Sequence, residues 1–305
     1  MKGLIRPLER LLGRLTSRRG ERWLGIGALL ALAVSGVLSL AIAPPDAVQG
    51  NVQRLMYVHV PAAWLAYLSF TVVFIGSAAY LLTRRGHWDR LAAASAEIGV
   101  LFTALTIVLG SIWGYPTWGT WWTWDPRLTT TAIMLLIYAG YLALRRLPES
   151  PGRRATWSAV LGVVGFVDIP IVHMSVVWWR SLHQPATVIQ PGQPSIAPIM
   201  LVALLWATLA FTVLYAYLLA LRMRVGRLET KVISAAFLPL PREVGGVPGA
   251  AGGGGSPRPG VPAKPASRGG EVGGVPGAAG GGGPGSAPEP SEIEAHEAGV
   301  EAVHG

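Results

Sequence analysis

Six apolar segments, at about residues 23–43, 60–82, 93–113, 128–145, 156–177 and 198–221, decide how this chain can fold. Each approaches the ~20 residues that a helix needs to cross a hydrocarbon core ~30 Å thick. Inside lipid the backbone must satisfy its own hydrogen bonds, so the runs predict an all-α, polytopic membrane protein with six transmembrane helices. Composition agrees, since only 13% of the residues are charged, where soluble domains carry about 25%. The first run, Trp23 to Ala43, is longer than a signal-peptide apolar core and lacks a clear cleavage motif, so it reads as a retained span.

The connecting segments alternate in charge. One side receives the N-terminal arm with Lys2, Arg6, Arg10, Arg14, Arg18, Arg19 and Arg22, then Arg84, Arg85 and Arg90, then Arg145, Arg146, Arg153 and Arg154, then Arg222, Arg224, Arg227 and Lys231. The other side receives only Arg54, Arg127 and Arg180. The positive-inside rule then places both termini in the cytoplasm and the loops at about 44–59, 114–127 and 178–197 outside the cytoplasmic (inner) membrane. The net charge of +9 is thus topological, and no nucleic-acid partner is expected. With no cysteine, the chain forms no disulfide, iron–sulfur cluster or covalent c-type haem attachment.

Three regions follow. Residues 1–22 read as a cytoplasmic amphipathic segment, with Leu4, Ile5, Leu8, Leu11, Leu12 and Leu15 at helical spacing. Residues 23–225 form the membrane domain. Residues 226–305 read as a Gly/Pro-rich cytoplasmic tail, disordered from about residue 235, in which EVGGVPGAAGGGG occurs at Glu243–Gly255 and again at Glu271–Gly283. That repeat has almost no apolar side chains with which to build a core.

Unusual residues gather in the outer loops. Trp118 to Leu128 reads WGTWWTWDPRL, and with Trp113, Trp178 and Trp179 it brings seven of the twelve tryptophans to one face. An interfacial aromatic belt is the plain reading of Trp118, Trp121, Trp122 and Trp124. Their density points instead to a flat shelf for a planar ligand; in a short helix Trp118, Trp121 and Trp122 would share a side. His59 and His183 lie on the same face. Either they are two interfacial polar tips, or they converge to supply both axial positions of a haem iron. His173, within the fifth span, is the rival ligand, whereas His87 belongs to a cytoplasmic loop. Arg54, Arg127 and Arg180 either snorkel or receive carboxylates such as haem propionates through a bidentate fork. Asp125 either pairs with Arg127 or orients a histidine. Asp168 is costly within a span and reads as buried against polar groups, protonated, or part of a relay.

Together these segments resemble the haem exporter protein C (CcmC) family of cytochrome c maturation. WGTWWTWDPRLT, Trp118 to Thr129, is similar to its WWD signature, and YVHVPAAW, Tyr57 to Trp64, and IPIVHMSVVWWRSLHQ, Ile169 to Gln184, are similar to its two histidine segments. The resemblance implies axial ligation of a non-covalent, exchangeable haem b by His59 and His183, with the WWD segment holding the porphyrin. It further implies delivery to a periplasmic haem chaperone of the CcmE type and association with ABC transporter subunits of the CcmA and CcmB type. Asp168, where the family more often has Asn, and the long tail depart from the pattern. No nucleophile or nucleotide site is evident, so a delivery protein is expected rather than an enzyme. The alternatives are a cytochrome c haem lyase and a transmembrane haem translocator lined by Asp168 and His173.

Overall fold

The computed structural model describes residues 13, 16–184, 188, 193 and 195–236, with 233–236 as backbone only. The expected surface helix over 1–22 falls largely outside these residues, as does the repeat tail from 237 onward. Six helical stretches are long and apolar enough to cross a membrane: Arg18–Ile42, Asn51–Thr83, Gly86–Trp118, Pro126–Leu144, Pro151–Trp178 and Pro198–Val232. They are built from α1 (Arg18–Val37), which runs into a π-helical turn at Leu38–Ile42, and α2 (Met56–Thr83), entered through a 3₁₀ turn at Asn51–Leu55. Then come α3 (Gly86–Trp118), α4 (Pro126–Leu144), α5 (Pro151–Gly165), α6 (Asp168–Trp178) and α7 (Pro198–Ala236). No strand occurs among the described residues, where the only bridge joins Asp46 and Gly50.

The helices α2 and α3 pack along one another at the centre, α1 and α7 pair on one flank, and α4 to α6 cover the other. Lipid offers little hydrophobic drive for helix association, so van der Waals fit and interhelical hydrogen bonds carry the packing. Small residues accordingly sit fully buried at the contacts: Ala62, Ala66 and Ser69 on α2, Ala92, Ser95 and Ala96 on α3, Ala207 and Ala210 on α7. Phe70 stacks on Tyr138 with ring centroids 3.5 Å apart, joining α2 to α4. Ser95 donates to the Ser69 carbonyl and meets the Tyr215 hydroxyl, each at 2.7 Å, tying α2, α3 and α7 together. Such bonds are worth about 0.6 kcal/mol each in a membrane.

Three boundaries differ from the sequence reading, each for a local reason. The third helix continues through Pro116 to Trp118, because a proline in the last turn removes only one N–H bond; the chain then leaves the helix at Gly119, whose φ of 75° suits a residue without Cβ. The fifth span is broken at Phe166–Val167. Pro170 cannot donate to the Phe166 carbonyl and crowds it, so α5 stops and α6 restarts at Asp168. The last helix continues past residue 225 to Ala236.

Candidate functional site

At the tryptophan-rich end, the first loop is shaped by Asp46. Its Oδ1 accepts the N–H groups of Gln49 at 2.8 Å and Val48 at 2.9 Å, and these donors, Gln49 first, hold its carboxyl below the usual carboxylate range. The turn presents the Gln49 side chain to Trp113, whose Nε1 donates to Gln49 Oε1 at 2.9 Å. Trp113, on α3, in turn meets the His59 ring edge-on, centroids 5.7 Å apart and planes at 78°. One helical turn earlier on α3, Gly110 leaves room for that imidazole: a Cβ there would lie 3.0 Å from His59 Cε1. The His59 ring is buried beside the Thr106 backbone of α3, while its Nδ1 makes no well-aligned hydrogen bond.

His183 is seated by Asp125. As N-cap of α4, with Pro126 at the first helical position, Asp125 accepts the Arg127 N–H through Oδ1 at 2.9 Å. The same carboxylate accepts the Ser181 hydroxyl at 3.0 Å and the Leu182 N–H at 2.6 Å. Ser181 Oγ then accepts the His183 N–H at 3.1 Å. Asp125 thus holds the residues just before His183 and makes no side-chain ion pair with Arg127. The His183 Nδ1 lies 3.0 Å from the Gln184 carbonyl. A carbonyl can only accept, so Nδ1 carries the proton and Nε2 keeps its lone pair. Burial, and next the positive charge of Arg127, hold this imidazole below the ordinary histidine range, which keeps it neutral at pH 7. A neutral ring with Nδ1–H anchored is the form that ligates a metal. Its centroid lies 6.3 Å from the Trp118 ring.

The two imidazoles and the Arg127 guanidinium lie within electrostatic reach of one another. The three outer arginines otherwise diverge. Arg54 donates to the Leu40 and Ala43 carbonyls, closing the end of the first span. Arg127 Nη2 donates to the His173 carbonyl at 2.9 Å, and its Nε is buried without a partner. Arg180 is exposed and makes no hydrogen bond or ion pair with the described residues.

The tryptophans do not form a single helical face, because the helix ends at Trp118 and the following residues are extended or bent. Trp118 faces His183, whereas Trp121 stacks on Tyr115, centroids 4.4 Å apart and planes at 14°. Trp122 and Trp124 meet edge-on at 5.7 Å. Trp124 is 80% exposed and Trp121 56%, so large aromatic faces are presented outward. The His173 side chain is exposed, on the residue whose carbonyl receives Arg127, and His87 starts the opposite end of α3. Asp168 is buried, with Oδ2 lacking a partner. No cluster of three or more His, Cys, Asp or Glu suited to a metal ion occurs among the described residues.

The family model described as CcmC, Heme exporter protein C, matches residues 11–237. The chain belongs to this family. Heme exporter protein C of Bradyrhizobium diazoefficiens is 40% identical over 220 residues, covering 72% of this chain and 83% of its own. Heme exporter protein C of Escherichia coli is 40% identical over 206 residues, covering 66% of this chain and 81% of its own. A cytochrome c biosynthesis ccmC-like mitochondrial protein of Arabidopsis thaliana is 38% identical over 214 residues, covering 70% of this chain and 78% of its own. The part matched to the heme exporter protein C family contains the whole outer arrangement from Asp46 to Gln184.

Sequence reasoning missed Asp46, Gln49 and Gly110 as the seat of His59. The Gly110–Trp113 spacing of three on one helix was a signal for a shared face, but its partner helix was not evident.

Proposed function

We propose that this multi-pass membrane protein handles haem during cytochrome c maturation, binding haem b non-covalently at the outer face of the cytoplasmic membrane with both termini inside. His59 and His183 are the axial ligands, and Trp118, Trp121, Trp122 and Trp124 flank the porphyrin. Asp125 positions His183. Arg127 and Arg180 receive the propionates, with Arg54 closing the same corner through the end of the first span. His59 and His183 would hold the haem iron through neutral imidazole nitrogens, which ligate haem iron readily. The observation that carries this reading is the seating of His183: its proton is engaged on Nδ1, its backbone is held by Asp125 and Ser181, and His59 and Arg127 lie within electrostatic reach. Nothing in the site activates a nucleophile, and the role is delivery, not catalysis. The recipient is a periplasmic haem chaperone of the CcmE type, and ABC transporter subunits of the CcmA and CcmB type are the membrane partners.

Absorption spectroscopy of the purified protein titrated with haem tests the assignment. The wild type is expected to give a bis-histidine low-spin spectrum, which His59→Ala or His183→Ala abolishes and His87→Ala or His173→Ala leaves intact. Wild-type ligation in both outer variants would sink it.

A further inference from the structure

At the opposite end of the bundle, Arg18, Arg19 and Arg22 crowd the first turns of α1. All three are exposed, and none forms a hydrogen bond or ion pair with the described residues. The neighbouring carboxylate, Glu21, is buried and given to Arg224 of α7 at 2.6 Å, so it does not neutralise them. Positive charge at a helix N-terminus opposes the helix dipole, which makes this placement unfavourable until an anion joins it.

The side chains of Arg18, Arg19, Arg22 and Trp23 border an open space of about 470 Å³. Arg18 and Arg22 also border a second open space, of about 370 Å³, that runs past Ile26 to Tyr217 and Leu221 in the groove between α1 and α7. Ile26 is 43% exposed and Leu221 38%, so the groove offers apolar surface directly beside the cationic end. Trp23, 63% exposed, stands where an indole anchors at the level of lipid headgroups.

We infer that this corner is a binding site for an anionic phospholipid, with headgroup phosphate on Arg18, Arg19 and Arg22 and an acyl chain along Ile26, Tyr217 and Leu221. Basic pockets between transmembrane helices on the cytoplasmic side recognise such headgroups. Three exposed guanidiniums within five residues, unpaired among the described residues, match two phosphates better than one, so a cardiolipin-type lipid is the expected occupant. The site lies at the far end of the bundle from the histidines and stands independently of the haem assignment.

Native mass spectrometry of the full-length protein, released from detergent after mixing with cardiolipin, phosphatidylglycerol, phosphatidylcholine or inorganic phosphate, tests this. Cardiolipin is expected to be retained most, phosphatidylglycerol less, and phosphatidylcholine and free phosphate least. Arg18→Gln/Arg22→Gln is expected to weaken cardiolipin retention roughly thirtyfold, from about 1 kcal/mol per arginine near the surface. Arg18→Lys/Arg22→Lys keeps the charge and is expected to retain part of the binding. Arg146→Gln/Arg153→Gln, which removes the same charge elsewhere at this end, is expected to change nothing. Thermal unfolding of each variant confirms that it is folded. Equal retention of cardiolipin and phosphatidylcholine by the wild type, or equal loss in both glutamine pairs, would overturn the site.

Discussion

The two ends of the bundle treat charge in opposite ways. At the basic end, arginines are matched to carboxylates: Arg145 to Asp89 between α4 and α3, Arg222 to Glu97 between α7 and α3, and Arg224 to Glu21 between α7 and α1. At the tryptophan end no such pair occurs among the described residues. Arg54 and Arg127 donate to backbone carbonyls, and Asp125 accepts only from N–H and O–H groups. A carbonyl orients a guanidinium without cancelling its charge. Between helices the basic end thus pairs its arginines within the chain, with Arg18, Arg19 and Arg22 standing outside those pairs, whereas at the tryptophan end the guanidinium charges of Arg54 and Arg127 are held but not cancelled.

That contrast can be broken in graded steps. The largest effect is expected from Asp125→Ala, which frees Ser181 and Leu182 and uncaps α4. Haem affinity should fall roughly 10–100-fold, the range for residues that orient metal ligands, with Asp125→Asn intermediate because it keeps one acceptor oxygen. Haem titration reads both; an unchanged affinity would show that the loop holds His183 without its carboxylate.

At the basic end the same kind of change should touch stability alone. Asp89→Asn removes the bidentate partner of Arg145, whose bonds run at 2.5 and 2.8 Å with both side chains mostly buried. The expected loss is about 1–2 kcal/mol after screening, read as a lower unfolding temperature with the haem spectrum unchanged.

A third test uses pH. The folded value of His183 is depressed below the ordinary 6.5. As pH falls through about 6.5, the unfolded chain takes up a proton that the folded site resists, so acid weakens the folded site while the ring itself stays neutral. Haem ligation should therefore survive below pH 6.5 and fail only in stronger acid. Arg127→Gln removes one cause of the depression and should move that failure to higher pH in an acid titration of the haem spectrum. A midpoint unmoved by the substitution would mean that burial alone sets it.

The smallest effect is expected from Glu97→Gln. Its pair with Arg222 is 35–40% exposed, so the loss should stay below about 1 kcal/mol in thermal unfolding.

The membrane architecture was legible in the chain because lipid enforces length and polarity on every span. The ends were less so. The third span read as ending near residue 113, but the helix runs on through Pro116, which in a final turn costs one bond, and stops at Gly119, which takes the left-handed conformation. Pro170 was visible within the fifth span, yet its consequence, a break at Phe166, depends on the carbonyl four residues back. His59, His183 and the tryptophans stood out by type and position. Their supports did not, because Asp125 reaches Leu182 across 57 residues and Trp113 reaches Gln49 across 64. Arg54 read as a snorkelling side chain or a receiver of carboxylates, and in the structure it donates to the Leu40 and Ala43 carbonyls at the π-helical end of the first span.

One carboxylate serves both the first turn of α4 and the segment that carries His183. The Leu182 N–H sits on Oδ2 and the Arg127 N–H on Oδ1, so the two tasks are divided between the oxygens of one side chain. Mechanically the loop is leashed to a rod: a pull on residues 181–183 is carried through Asp125 to the foot of α4, and the bonds from Ser181 and Leu182 yield while the helix cap stays in place.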